Sequence, residues 1–347
     1  MSVGSRRKHR VPLLATIMLG LALPIGPVAA LTADEVNRAQ FAEGREARGA
    51  PDPTILRAQV LLDRLRFSPG SIDGKTGENF TKALDAYARA NGLAPTGRLA
   101  PDMWGKLIGT YDGPVLVSYT ITQGDLDGPF LKKVPKDFED MAELDALGYT
   151  SPKEELAERF HMAPALLEAL NPGSEFDKAA ETIIVAAVRP EPDRAAISNR
   201  NAVPAKGGKA RVVRIEIDKT ARTLTAYDAE DKLVAFYPAS IGSDEKPAPS
   251  GRFEIRAIAR DPTYTYNPEY KFKGVKAKEK LTIPAGPNNP VGVVWLDLSA
   301  DSYGIHGTPE PERVSKTSSH GCIRLTNWDV KDLASLVGKG TAVVFRD

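Results

Sequence analysis

Apolar positions change period along the chain, and each change predicts a different element. Ile55, Ala58, Leu62 and Leu65, with Gln59, recur at helical spacing, which predicts an amphipathic helix with one buried face. Turn residues fill 71–77. A second helix is expected over 78–91, with Phe80, Leu84 and Tyr87 inward and Gly92 as its stop. Pro101 suits the first turn of a third helix carrying Trp104 and Leu107. Residues 119–122 alternate like a strand, and 123–125 turn. Ser151 reads as a helix cap, with Pro152 at the first position, Glu154 three residues on, and Leu156 and Phe160 on one face. Leu166, Leu167 and Leu170 line a further helix that Asn171-Pro172-Gly173 ends, and 182–188 is β-branched and strand-like.

The period shortens to two in the last third. Strands are expected at 212–217, 223–227, 233–238, 251–259, 291–298 and 341–345, with a hairpin turn at 228–232 and one helix at 327–337. Between 261 and 290 lies a stretch with five prolines and few core positions. A loop this long inside a compact domain is expected to serve function, as a lid or binding flap. Residues 189–210 carry prolines, glycines and scattered charges, the composition of a linker.

The beginning of the chain stands apart. Arg6, Arg7, Lys8 and Arg10 precede an apolar stretch over 11–23, and Pro24, Pro27 and small residues follow up to Ala30. This is the layout of a secretory signal peptide cleaved after Ala30, and the stretch is too short to span a bilayer. Cleavage would take four basic and no acidic residues from a chain of net charge +1, leaving −3. The expected product has no lasting membrane anchor, and its near-neutral charge gives no sign of nucleic-acid binding.

Composition narrows the chemistry further. A single cysteine among 347 residues excludes internal disulfides, Cys-rich zinc modules and cysteine-ligated iron–sulfur clusters. That cysteine, Cys322, lies within 16 residues of two of the chain's four histidines, His306 and His320. A neighbouring imidazole that takes the thiol proton makes a good nucleophile. Gly321 and Cys322 could offer backbone amides to an oxyanion. The residue types alone leave two other readings open: a buried inert cysteine, or a zinc site of His306, His320 and Cys322.

Three resemblances separate these readings. Residues 53–110 resemble the small peptidoglycan-binding domain found beside cell-wall enzymes, through Asp73-Gly74, Gly77, Tyr87, Asn91-Gly92-Leu93, Thr96-Gly97 and Trp104. Tyr87-Ala88 stands where that family usually has Phe-Gln. Residues 115–188 resemble the glycan-binding LysM module at 119–125 and 156–173, with about 25 residues inserted over 126–150. His306-Gly307-Thr308 and Ser319-His320-Gly321-Cys322-Ile323-Arg324-Leu325 resemble the catalytic motif of the L,D-transpeptidases of YkuD type. That resemblance covers about 211–347 and includes Gly286-Pro287, Asn289-Pro290, Trp295 and Tyr303-Gly304-Ile305.

It implies Cys322 as nucleophile, His306 as general base, the Gly307 carbonyl as the group orienting the imidazole, and His320 shaping the site. It also implies an oxyanion site at Gly321 and Cys322, and substrate contacts from Arg324, Ser319, Tyr303 and Trp295, with neither cofactor nor metal. The implied partners are peptidoglycan stem peptides and glycan strands, with an outer-membrane protein as another acceptor, and the implied location is the periplasm. The expected architecture is a multidomain α+β chain: signal peptide 1–30, tether 31–52, three-helix domain 53–110, LysM-like βααβ module 115–188, linker 189–210, and a mostly-β catalytic domain 211–347 built as a mixed-sheet β-sandwich.

Overall fold

The computed structural model describes residues 31–42, 49–192, 212–242, 247–270, 277–317 and 321–347, together with Met1 and Gly4. The expected signal peptide otherwise lies outside the described residues. Residues 31–347 form one unit.

Helix α1 (Ala33–Asn37) opens on a reciprocal cap between Thr32 and Glu35. Residues 31–42 were expected to be a tether, but Val36 is fully buried. The Asn37 amide also brackets the backbone of Leu116, donating to its carbonyl at 2.9 Å and accepting from its N–H at 2.8 Å. The short helix is therefore part of the packed structure. Helices α2 (Pro53–Arg64), α3 (Glu78–Ala90) and α4 (Pro101–Ile108) follow. Asp52 caps α2 by accepting from the amides of Thr54 and Ile55. The helix is buried almost all round rather than on one face, since Leu56, Ala58, Gln59, Val60, Leu61, Leu62 and Asp63 are all covered. Its neighbours lie on more than one side, which the periodicity of a single helix does not report.

Strand β1 (Leu116–Thr120), α5 (Phe138–Ala142), α6 (Pro152–Arg159), α7 (Pro164–Leu170) and β2 (Thr182–Ala186) come next. β1 and β2 pair antiparallel, with Leu116 opposite Ala186. The expected turn at 123–125 is a short 3-10 turn capped by Thr122. Asn171 closes α7 and holds β2, accepting from the Ile184 amide at 2.6 Å while donating to the Leu167 carbonyl. The inserted residues contain α5, which the sequence pattern did not suggest.

The remaining strands are β3 (Arg214–Asp218), β4 (Thr223–Tyr227), β5 (Leu233–Pro238), β6 (Ser240–Ile241), β7 (Gly251–Arg260), β8 (Tyr264–Tyr266), β9 (Leu281–Ile283), β10 (Val294–Leu298), β11 (Gly304–His306), β12 (Ile323–Arg324) and β13 (Ala342–Arg346), with α8 (Asn327–Leu336) before the last. Among the described residues nine strands form one sheet in the order β5-β4-β3-β13-β7-β10-β11-β12-β6. It is mixed: β13 runs parallel to β3 and β12 parallel to β11. The expected sandwich is thus one continuous sheet, joined through the ten-residue β7. Ile215, Ile217 and Leu224 of one half share a core with Leu296, Ile305 and Ile323 of the other and with Val330 and Leu333 of α8.

The helical parts are joined to this sheet by hydrogen bonds. Phe236 of β5 exchanges backbone bonds with Arg66 and Ser68 just after α2. Arg189, expected in a linker, is partly buried between α2 and α8, donating to the Asp63 carbonyl and pairing with Asp332. The rest of the expected linker, 193–210, lies outside the described residues.

Candidate active site

His306 ends β11. It stands opposite Trp295 of antiparallel β10 and opposite Arg324 of parallel β12. Residues directly opposite on paired strands present their side chains to the same face. The Trp295 indole stacks on the imidazole, with centroids 5.5 Å apart and planes 15° from parallel. The Leu325 amide donates to the His306 carbonyl at 2.8 Å, which keeps β12 in register. Cys322 lies just before β12, so the strand pairing that aligns Arg324 with His306 also brings the thiol to this face. Its Sγ lies 3.9 Å from the Ser302 carbonyl oxygen, and it is partly exposed. Gly321 before it takes φ 97°, a region disfavoured once a β-carbon is present.

The imidazole has a defined tautomer. Its Nδ1 lies 2.7 Å from the Gly307 carbonyl oxygen. A carbonyl only accepts, so Nδ1 carries the hydrogen and Nε2 of the neutral ring keeps its lone pair. Burial, with the Arg324 charge adding to it and the Gly307 carbonyl opposing it, pulls the His306 pKa down to about 3. The ring is therefore neutral at pH 7. Burial also lowers the Arg324 pKa, against the pull of Glu310 and Cys322. Its Nε has no hydrogen-bond partner among the described residues.

Behind the histidine sits Asn327, the first residue of α8 and fully buried. Its Oδ1 accepts from the Thr308 amide at 3.1 Å and the Val293 amide at 3.4 Å. A β-carbon on either Gly307 or Gly292 would overlap that oxygen, so the close approach requires glycine at both places. The Nδ2 donates to the Pro287 carbonyl at 3.1 Å and to the carboxylate of Glu158 on α6 at 3.2 and 3.1 Å. Glu158 also accepts from the Tyr149 hydroxyl at 2.9 Å. Burial, opposed by Lys331, Tyr149 and Asn327, raises its pKa to about 7.

The stretch 261–290, expected as a lid or binding flap, contains the antiparallel pair β8–β9, with Tyr266 and Ile283 buried. Its seat is the insertion of the βααβ module. Phe138 packs edge-on against Tyr264 and Tyr266, and Met141 and Leu147 share a small core with Ile283. Leu147 donates to the Ala285 carbonyl at 2.9 Å and accepts from the Asn288 amide at 3.0 Å.

Of the expected site residues, strand pairing gathers His306, Arg324 and Trp295, with Gly307 and Cys322 adjoining them in the chain. Tyr303 lies nearby, its hydroxyl donating to the Pro247 carbonyl at 3.1 Å. Ser319 and His320 lie outside the described residues. Asn327 and Glu158 were not anticipated. Asn327 closely follows the motif and could have been noticed there, whereas Glu158 is 169 residues before it and carries no local signal.

Residues 212–345 match the family described as "L,D-transpeptidase catalytic domain", and residues 51–107 match "Putative peptidoglycan binding domain". The "Putative L,D-transpeptidase YkuD" of Bacillus licheniformis is 34% identical over 181 residues, 52% of this chain and 83% of that protein. The "Probable L,D-transpeptidase YbiS" of Escherichia coli is 33% identical over 136 residues, 38% of this chain and 44% of that protein. Among solved structures, L,D-transpeptidase 3 from Mycobacterium tuberculosis in complex with a faropenem-derived adduct aligns with TM-score 0.33 and 17% identity, covering 39% of this chain and 60% of that one. The chain belongs to the YkuD family of L,D-transpeptidases. It is an enzyme of peptidoglycan, and it joins a transpeptidase domain to a peptidoglycan-binding domain.

Proposed function

We propose that Cys322 is the nucleophile and His306 the general base of an acyl transfer on peptidoglycan stem tetrapeptides. The observation that carries this reading is the His306 tautomer: Nδ1–H is committed to the Gly307 carbonyl, which leaves Nε2 as the proton acceptor. Nε2 takes the thiol proton, and the sulfur attacks the carbonyl carbon at the L-centre of the third residue. The carbonyl electrons move to oxygen, where the amides of Gly321 and Cys322 would stabilise them. The C–N bond to D-alanine then breaks, His306 returns its proton to the departing amine, and a thioester remains. An amine of a neighbouring stem attacks the thioester, gives its proton to His306, and releases the thiolate as the new amide forms. The product is a 3→3 cross-link.

Arg324, with Nε unpartnered among the described residues, suits a substrate carboxylate. Trp295, Tyr303 and Ser319 complete the substrate contacts, and His320 shapes the site. The β1-α6-α7-β2 module acts as a LysM-like glycan binder beside the peptidoglycan-binding domain. Residues 1–30 direct export to the periplasm, where an outer-membrane protein would be a second class of acceptor. By family resemblance, carbapenems acylate the thiol. The test is mass spectrometry of muropeptides incubated with the full chain. Dimers appear at the summed mass of two tetrapeptide muropeptides less one D-alanine, and free D-alanine appears, while Cys322→Ala abolishes both with an unchanged melting temperature. Retained D-alanine release in that variant would overturn the assignment.

A further inference from the structure

Asn327 is the point where four segments meet. Its two amide hydrogens go to the Pro287 carbonyl, at the end of the flap, and to Glu158. Its carbonyl oxygen receives the amides of Val293 and Thr308. The Gly307 carbonyl that fixes the His306 tautomer belongs to the peptide whose N–H is that of Thr308. The orientation of one side-chain amide therefore sets the plane of that peptide. Turned by 180°, Asn327 would point N–H groups at two N–H donors. The carboxylate form of Glu158 can only accept, and the part-protonated group that a pKa of about 7 leaves at neutral pH still keeps an accepting oxygen, so Glu158 holds the donor end of Asn327 toward itself and the acceptor end toward the catalytic loop. Both carboxylate oxygens lie within hydrogen-bond reach of Nδ2, and Tyr149, from the same module, fixes one of them.

We propose that Glu158, a residue of the βααβ module, is a positioning residue for the catalytic histidine, acting through Asn327 and the Gly307–Thr308 peptide. It touches neither substrate nor thiol. The βααβ module is on this view part of the acyl-transfer machinery, supplying the outer end of a chain that runs Glu158, Asn327, Gly307–Thr308, His306. The inference rests on the reading of His306 as the base.

The experiment measures D-alanine release from a stem tetrapeptide, with kcat and KM determined separately, for full-length Glu158→Ala, Glu158→Asp and Glu158→Gln. Carbapenem acylation of Cys322, followed by intact mass, serves as an acceptor-independent rate. Ala removes the acceptor, and Asp withdraws it by one methylene. Both are expected to lower kcat and the acylation rate by about 10- to 100-fold, the scale of a misplaced catalytic group, with KM within about twofold. Gln keeps an acceptor oxygen at the same reach and is expected to restore the rate to within about threefold. Wild-type rates in Ala and Asp overturn the proposal, and so does a Gln variant as slow as Ala. If Ala and Asp do not melt as folded proteins, Tyr149→Phe decides: it frees one carboxylate oxygen without opening a large cavity, and an unchanged kcat there overturns the proposal. Cys322→Ala run in parallel separates the two failures, because activity surviving in it would sink the nucleophile assignment, whereas unaffected Glu158 variants beside an inactive Cys322→Ala sink only the role of Glu158.

Discussion

A buried imidazole gives up its proton more readily than an exposed one, and His306 has the added charge of Arg324 beside it. Its folded pKa of about 3 lies below the ordinary 6.5. Between those values the unfolded chain binds a proton that the native protein does not, so stability rises with pH across the window. The contribution is fully present above 6.5 and is lost as pH falls toward 3. Urea titrations of wild type and His306→Gln at pH 7 and pH 4 should show it. The wild type is expected to lose more stability on acidification than the variant, by on the order of 3 kcal/mol between those two pH values. Equal acid sensitivity would mean that the ring is not held neutral by the fold. The main actors were legible in the sequence because an imidazole at the end of β11 and a thiol just before the adjacent β12 appear as a short motif. Glu158 was not legible, because it reaches the site only through tertiary packing of α6 against α8.

At the scale of elements, β8–β9, in the stretch expected as a lid or binding flap, is seated on the insertion of another module. Gly286 shows how tightly. Its φ is 144°, and a β-carbon there would run into the carbonyl of Leu147. Gly286→Ala is expected to cost about 1–3 kcal/mol by denaturant unfolding, from backbone strain and displaced contact together. Hydrogen exchange should rise in 281–288 and 144–149 and stay unchanged in β3 and β4. Exchange that rises uniformly, or not at all, would mean the seat is not coupled in this way. Nothing in 126–150 announced the role, since its few apolar residues complete a core only with Ile283 and Tyr264, far along the chain. The helices and most strands, by contrast, were readable from period and end signals, because Pro101, Ser151 and Gly92 act on their own neighbours.

Across the whole molecule, the helical parts meet the catalytic sheet through buried polar groups beside an apolar contact, in which Phe236 of β5 joins the helical core with Phe67 and Tyr87. Ser68 donates to Asp329 at 2.9 Å, Arg66 donates to Asp332 at 3.2 Å, and His161 pairs with Asp63 while stacking on Trp328. Losing one partner from such a cluster leaves a charge uncompensated, so Arg189→Met is expected to cost about 3–5 kcal/mol and to split a single calorimetric transition into two. One unsplit transition at the wild-type temperature would refute the coupling. Burial first, then the charge of Asp63, raises the Asp329 pKa to about 8. Because the native state holds this proton above the ordinary 3.8, the associated stability is complete below 3.8 and is lost as pH rises through 8. Asp329→Asn removes the titration, so its melting temperature should fall less than that of the wild type between pH 6 and 9; parallel curves would place the cost of alkaline pH elsewhere.

The joint at Arg189, Asp329 and Asp332 also has a consequence for how the enzyme meets an ordered polymer. With the helical domain, the βααβ module and the thiol packed in one unit, a glycan held by the helical domain would lie at a set offset from Cys322. Such an enzyme works like a gauge: it reaches only those stems that project at one set interval and one set azimuth from the strand it holds. The spacing of its cross-links is then written into its interior salt bridges.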